Sequence, residues 1–200
     1  MVILVRSGRI DPGSNPGGPT TQFWGNPYII TLAPPRGNRG IIVESPERLT
    51  LEESHKRFAV DFFNEIWPLL TKEGRTEEED ERMVNAAHAS LLHWQHVGKP
   101  INAQRGEWMV SHVYAVLGMA GPAAFHAGRC MRITEEQGLQ DFDLAYAYEG
   151  LARAHAAAGD RAEAARFRGL AKGAGERIAE AEDRELFMGD LAAGPWYAAA

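Results

Sequence analysis

Apolar residues recur at helical spacing from Thr50 onward, which predicts that the body of the chain is built from amphipathic helices. The first apolar stripe, over residues 51–70, consists of Phe58, Phe62, Ile66 and Leu69. Thr50 and Glu53 form a capping-box pattern, in which the hydroxyl and the carboxylate satisfy free amides of the first turn. Pro68 is expected to kink this helix or end it early, and Gly74 is expected to stop it.

A second stripe follows the same design. Thr76 and Glu79 repeat the capping box, and the acids from Glu77 to Glu81 match the positive end of a helix dipole. The apolar positions of this helix are Val84, Ala87, Leu91 and Trp94. Gly98 and Pro100 are expected to close it.

Five further helices are predicted from apolar periodicity and from Gly, Pro and Asp residues at their ends. The first of these is expected at about 102–117, the second from Gly121-Pro122 to Gly138, and the third from a cap at Asp141 or Asp143 to Ala158. The fourth is expected from a cap at Asp160 to about Ile178, and the fifth at about 183–191. No segment alternates convincingly with period two. The sequence therefore predicts an all-α domain.

An internal repeat with a period of 41 residues is the most informative pattern. Tyr114, Gly118, Ala123 and Cys130 are matched by His155, Gly159, Ala164 and Ala171. Each set belongs to one helix, a tight turn and a second helix, which is typical of proteins built by stacking helical hairpins. Such proteins usually bind other molecules rather than transform them.

The second of these units resembles a tetratricopeptide repeat. Its matching positions are Tyr148, Leu151, Ala152, His155, Gly159, Asp160 and Ala164. The family has Tyr where His155 stands, and its next aromatic comes one place after Phe167. In the preceding unit Glu107 occupies the aromatic slot and Trp108 is next to it. The offset exceeds the usual length of about 34 residues by about two helical turns, so the repeats are lengthened.

The resemblance implies a TPR-like α-solenoid of about three antiparallel hairpins plus a C-terminal capping helix, with the helix pair at 50–97 as a worn third unit. It also implies that the first helix of each hairpin lines a concave groove. The implied groove residues are Arg105, Trp108 and His112 on the third helix and Tyr146, Glu149 and Arg153 on the fifth. The implied function is protein–protein interaction, in which Arg105 and Arg153 hold an acidic or C-terminal group of a partner segment.

Plainer explanations of the same residues stay open. Glu149 and Arg153 form an i,i+4 pair that stabilises its own helix by about 0.3–0.5 kcal/mol whether or not a partner binds. Trp108 would equally well fill the core between hairpins. The Lys and Asn pairs with which some family members clamp a terminal carboxylate are absent, so that specificity is not implied.

The alternative function is that of a small-molecule or metal-dependent enzyme or sensor. Its polar pocket would contain His88, His112, His126 and Glu149. His93 and His96 could share a metal ligand, but the one Glu-x-x-His pattern, Glu52 to His55, has no second copy for a di-iron bundle. Cys130 stands where the repeat needs a small packing residue, and a buried thiol is inert. No catalytic residue, metal ligand or cofactor is therefore assigned. Homodimerisation through the second helix is a third alternative for the function.

Composition divides the chain into three parts. Residues 1–46 contain seven Gly and seven Pro without a period, which predicts a disordered arm, or an over-extended start of translation. Residues 47–193 form the expected TPR-like domain, and residues 194–200 a frayed tail with Trp196 and Tyr197. Two apolar patches in the arm, Tyr28-Ile29-Ile30 and Ile41-Ile42-Val43, could add a strand or dock on a neighbour.

Charge and cysteine content limit the partners. Residues 1–49 hold five Arg and three acidic residues, which gives this part a net charge of +2. Because the whole chain has a net charge of −6, the remaining 151 residues have a net charge of −8. An acidic body argues against nucleic acid as a partner. No apolar run approaches the length of about 18 residues that a membrane helix needs. A single cysteine, Cys130, allows no intrachain disulfide and predicts a reducing compartment, the cytoplasm.

Overall fold

The computed structural model describes residues 49–196, and every regular element in that range is an α-helix. The helices are α1 Leu51–Leu70, α2 Glu77–Val97, α3 Pro100–Val116, α4 Ala120–Glu136, α5 Asp141–Ala157, α6 Arg161–Gly175 and α7 Ala181–Ala192. The all-α class is thus confirmed for this part of the chain. The predicted arm at 1–46 and residues 197–200 of the predicted tail lie outside the described residues.

Both predicted capping boxes are present. The Glu53 amide donates to Thr50 Oγ1 at 3.2 Å, and the Thr50 amide donates to Glu53 Oε2 at 2.8 Å. The corresponding distances at Thr76 and Glu79 are 3.3 and 3.1 Å. Local side-chain chemistry therefore defines where α1 and α2 begin. Among residues 49–196, every helix is too short or too polar to cross a lipid bilayer.

Several helix ends differ from the prediction. Neither Asp141 nor Asp143 caps α5, whose N-cap is Gln140. Asp141 Oδ1 instead accepts a hydrogen bond from the Ala179 amide at 3.2 Å, and Asp143 pairs with Arg105. α6 ends at Gly175, which leaves the apolar Ile178 buried in the connection to α7. These side chains make contacts with other parts of the domain, and so they do not have the positions at helix ends or within a helix that local sequence rules predict.

The 41-residue period reappears in the backbone. α3 spans 100–116 and α5 spans 141–157, so both ends are shifted by 41 residues. After α3 the Met119 amide donates to Tyr114 O at 2.8 Å, and after α5 the Asp160 amide donates to His155 O at 3.0 Å. Gly118 and Gly159 have φ values of 72° and 75° at the equivalent turn position. The two units therefore share one turn geometry, in which glycine supplies the left-handed residue.

Helices adjacent in sequence pack against each other as pairs, α1 with α2, α3 with α4 and α5 with α6. In addition, α3 packs on α5, and α7 packs on both α5 and α6. Small residues allow the close approach: a Cβ on Gly106 would lie 2.8 Å from Leu91 Cδ1, and Cys130 and Ala171 are both buried. These contacts place α3, α5 and α7 side by side.

One stacked ring pair occupies the same position in both units. Tyr114 and His126 stack with their ring centroids 5.9 Å apart, and His155 and Phe167 stack at 5.4 Å. His155 and Phe167 follow Tyr114 and His126 by 41 residues, so aromatic and imidazole have exchanged places between the units. The contact is kept although the individual residue types are not.

The role of the turn glycine can be tested with two Gly→Ala substitutions that differ in backbone conformation alone. A Cβ at Gly159 or at Gly169 meets no atom within 4 Å, but Gly159 has φ +75° and Gly169 lies within α6. We expect Gly159→Ala to lower the free energy of unfolding by about 1–2 kcal/mol and Gly169→Ala to raise it by about 0.5–1 kcal/mol. Urea unfolding followed by circular dichroism measures both, and equal effects would contradict the assigned turn.

Candidate functional site

The predicted groove residues converge on the carboxylate of Glu149. Trp108 Nε1 donates to Glu149 Oε2 at 2.8 Å, and the Arg153 guanidinium forms an ion pair with Oε1 of the same carboxylate. His112 Nδ1 lies 3.8 Å from that Oε1. Trp108 and Arg153 are therefore on the same side of the domain, on neighbouring helices α3 and α5.

The other two predicted residues contact partners that sequence reasoning did not assign. Arg105 holds Asp143 through both carboxylate oxygens, at 2.7 and 3.2 Å. The Tyr146 hydroxyl donates to Asp190 Oδ2 on α7 at 2.6 Å. The Tyr146 ring lies between those of Trp108 and Phe187, with both centroids 4.8 Å away. We call the six predicted residues together with Asp143 and Asp190 the polar network.

Most of the polar network is buried, whereas the sequence predicts side chains that line an open groove. Glu149 is 0 %, Arg153 2 %, Tyr146 6 % and Trp108 7 % exposed. The cover is the end of the chain itself: Arg153 Nη2 donates to Asp190 O at 2.8 Å and to Ala193 O at 3.2 Å. Within the chain, Glu149 and Arg153 pair with each other and Trp108 is part of the buried core, as the plainer explanations expect. A role of these residues in binding a partner stays a prediction.

Trp196 completes this cover. The sequence assigns it to a frayed tail, yet it is only 7 % exposed. Its ring lies 4.5 Å from the Arg153 guanidinium carbon and 4.6 Å from that of Arg168. Cation–π contacts on an indole are the strongest of their kind, so the two arginines hold the segment against the domain.

The buried negative charge of Glu149 in the polar network is neutralised by the positive charge of Arg153. Burial acts to raise the pKa of Glu149, but the charge of Arg153 and the hydrogen bonds from Arg153 and Trp108 outweigh it and lower that pKa. Burial, reinforced by Arg153, lowers the pKa of His112 to about 4, so its imidazole is neutral at neutral pH. Glu149 and Arg153 therefore form a buried ion pair with no third charge on His112.

Asp190 also has an unusual pKa. Burial and the neighbouring Glu149 raise its pKa to about 6, against the lowering effect of the hydrogen bond from Tyr146. Burial and Asp190 in turn raise the pKa of Tyr146, so the phenol remains a donor. A carboxyl group that titrates near neutral pH therefore lies between α5 and α7.

Asp190 was missed although a sequence signal exists for it. Trp67, Trp108, Glu149 and Asp190 are spaced at 41 residues. The Trp67 and Trp108 rings lie 6.3 Å apart, and Trp108 bonds to Glu149. Extending the repeat by one period in each direction would have found Trp67 on α1 and Asp190 on α7. No comparable signal distinguishes Asp143, which looks like a helix cap.

Within residues 49–196, seven buried side-chain nitrogen or oxygen atoms have no hydrogen-bond partner. They are Trp67 Nε1, Gln104 Oε1, Arg105 Nη1, His112 Nδ1, Arg153 Nη1, Asp190 Oδ1 and Trp196 Nε1. All seven belong to α1, α3, α5, α7 or the segment after α7. Buried polar atoms normally have partners, so this set identifies the odd-numbered helices as the side with unused bonding capacity.

The residues of the alternative pocket divide between two clusters. His88 and His126 come together, with ring centroids 5.3 Å apart. Their polar partners are Tyr114 and Glu107: His88 Nε2 is 2.9 Å from Tyr114 Oη, and His126 Nδ1 is 2.6 Å from Glu107 Oε2. His112 and Glu149 belong to the polar network instead. Glu107 was missed because the repeat pattern marks its position as aromatic.

Histidines also meet between α1 and α2. His55 Nδ1 and His93 Nδ1 are 2.8 Å apart, and the rings of His55 and His96 are 4.5 Å apart. In the part of the chain that the structure describes, no group of three or more His, Cys, Asp or Glu side chains is arranged to hold a metal ion. Cys130 is buried, as its packing role predicts, and burial raises the pKa of its thiol.

The buried ion pair can be tested by single and double substitutions. Arg153→Met would leave Glu149 charged and buried, so we expect a loss of about 3–5 kcal/mol in the free energy of unfolding. The double variant Glu149→Gln/Arg153→Met should lose much less than the sum of its single changes. Lys56→Met is the matched control, because Lys56 and Glu52 form an exposed pair with the same spacing, and it should cost less than about 1 kcal/mol. Additive effects in the double variant would contradict the pairing.

Asp190 predicts a pH dependence with an unusual sign. Its folded-state pKa of about 6 lies above the ordinary 3.8, so the folded protein keeps this proton to higher pH than the unfolded chain does. Wild-type stability should therefore fall relative to Asp190→Asn as the pH rises from 4 to 7, by about 2 kcal/mol. His112 acts in the opposite direction but is common to both proteins and cancels in the difference. Urea unfolding at four pH values measures it, and parallel curves would contradict the assignment.

Comparison of this chain with protein-family models, curated protein sequences and solved structures finds no match.

Proposed function

We propose that this chain is a TPR-like helical-repeat protein that binds an extended segment of a partner protein along α3, α5 and α7. The binding surface is the side of the domain that carries the polar network. The segment Ala193–Trp196 shares this surface, so a partner segment binds beside it or in its place.

The repeat spacing supports the stacked arrangement. Trp67, Trp108, Glu149 and Asp190 lie one period apart on α1, α3, α5 and α7. Successive members of this series interact, through the ring contact at 6.3 Å, the hydrogen bond at 2.8 Å and the effect of Glu149 on the pKa of Asp190. These interactions between residues one period apart support an arrangement of stacked hairpins.

The observation that carries the proposal is the way in which the domain holds its own C-terminal segment. Arg153 Nη2 donates to the backbone carbonyl oxygen of Ala193 in this segment as well as to that of Asp190 in α7, and Trp196 lies against two guanidinium groups. Backbone carbonyls and one aromatic residue are features that any extended peptide can offer. The surface therefore has the chemistry of peptide recognition, and its own chain supplies an example of the ligand.

The unpartnered polar atoms extend this chemistry beyond the segment. Arg105 Nη1 and Trp67 Nε1 are N–H donors on α3 and α1, and neither has a hydrogen-bond partner in residues 49–196. Both atoms are buried in the domain, so a peptide that continues from the position of Ala193 toward α3 and α1 would have to displace their cover before its carbonyl oxygens could accept hydrogen bonds from them. Each such bond would contribute roughly 0.5–1.5 kcal/mol, or more at the charged guanidinium.

The proposal is tested by supplying the C-terminal segment as a separate molecule. In the full chain, Trp196→Ala removes the aromatic contact and should open the surface. A fluorescently labelled peptide with the sequence of residues 193–200 should then bind this variant at least about tenfold more tightly than wild type, where the tethered segment competes. Fluorescence anisotropy measures both affinities.

Two controls make the result specific. The same peptide with Ala in place of Trp should not bind the Trp196→Ala protein. Phe125→Ala removes an exposed aromatic residue from α4, 61 % exposed, and should behave as wild type. Equal affinity of wild type and Trp196→Ala for the labelled peptide would overturn the proposed binding surface.

A further inference from the structure

The first hairpin carries an apolar stripe that its own helices do not cover. On α1 the stripe contains Leu51, His55, Phe58 and Phe62, and on α2 it continues through Ala89, Leu92 and His96. Spacings of three and four residues put each set on one helix face. Leu51 is 76 %, Leu92 55 % and Phe58 47 % exposed. Such an exposed stripe is typical of a helix pair that packs against a further segment.

A groove of about 640 Å³ lies beside this stripe between α1 and α2. Its apolar lining consists of Phe62, Ala86 and Ala89. Four glutamates and one arginine also line it, which gives a balance of −3: Glu65, Glu78, Glu79, Glu81 and Arg82. Arg82 pairs with Glu65, and Lys72 from outside the lining pairs with Glu79. The groove therefore combines an apolar floor with an acidic rim, of which Glu78 and Glu81 form part.

We propose that residues 36–43 of this chain dock in the α1–α2 groove. This segment reads Arg-Gly-Asn-Arg-Gly-Ile-Ile-Val and contains two cations, three β-branched apolar residues and no acid. Ile41, Ile42 and Val43 would cover Phe62 and Ala89, while Arg36 and Arg39 would meet the acidic rim. Charge and apolar content of segment and groove are thus complementary.

The length of the connection permits this docking. Val43 and Leu51 are eight residues apart, so the chain between them spans up to about 26–29 Å when extended. Phe62 lies eleven residues along α1 from Leu51, a distance of about 16 Å. The tether therefore reaches the groove, and a short tether gives a local concentration on the order of millimolar.

A second copy of the chain is a less suitable occupant for the same groove. An α1–α2 face that met its own copy would bring two acidic rims together, and like charges at an interface are unfavourable. The end units of stacked repeats also need a cover for their outward apolar face. Residues 36–43 supply that cover within one molecule.

The proposal is tested in the full chain by replacing Ile42 with the photo-crosslinking amino acid p-benzoylphenylalanine. After irradiation and protease digestion, mass spectrometry should find intrachain crosslinks to residues 58–65 of α1 or 85–92 of α2. The double charge reversal Arg36→Glu/Arg39→Glu should lower their yield at least threefold. Arg6→Glu/Arg9→Glu makes the same charge change further from the segment and should leave the yield unchanged.

A change in the groove gives an independent check. Ala89→Arg puts a cation and a long side chain on the groove floor and should lower the crosslink yield as strongly as the reversal at Arg36 and Arg39, with an unchanged helical circular dichroism spectrum. Crosslinks between chains would assign the groove to a second copy and overturn the proposal. Crosslinks to other helices, no crosslinks, or equal losses from both pairs of Arg→Glu changes would overturn it as well.

Discussion

The buried carboxylate of Glu149 is the constraint on which the rest of the domain depends. Moving a carboxylate and a guanidinium out of water costs several kcal/mol for each ion, so both must keep a nearly complete set of partners. Trp108 on α3 and Arg153 on α5 supply them for Glu149, and the carbonyl oxygens of Asp190 and Ala193 do so for Arg153. One ion pair thus fixes the positions of α3, α5, α7 and the segment that follows.

The 41-residue period explains why one ion pair can fix the positions of several helices. Residues one period apart meet across neighbouring first helices, as Trp67 does Trp108 and Tyr146 does Phe187. Within such a series the residue types change while the contact persists. Trp67 and Trp108 meet through two aromatic rings, whereas Trp108 and Glu149 meet through an indole N–H and a carboxylate. The repeat thus keeps positions rather than residue types, and the turns after α3 and α5 share one geometry.

Features that depend on neighbouring residues could be predicted from the sequence, and features that depend on distant ones could not. The capping boxes at Thr50 and Thr76 and the turn at Gly159 involve residues three to five positions apart, so local rules identify them. The six groove residues also fall together, because the period brings their helices side by side. Their burial could not be predicted, since the cover comes from Asp190, Ala193 and Trp196. The contacts reach 44 residues from Tyr146 to Asp190 and 43 residues from Arg153 to Trp196.

The helices of residues 49–196 have two outer faces that differ in their cover. On one side α7 packs on α5 and α6, and the segment through Trp196 packs against Arg153. At the N-terminal end the exposed side chains of Leu51, Phe58 and Leu92 form the corresponding face. The two faces differ in charge, because cations surround Trp196 while glutamates surround Phe62. The two faces therefore favour ligands of different charge.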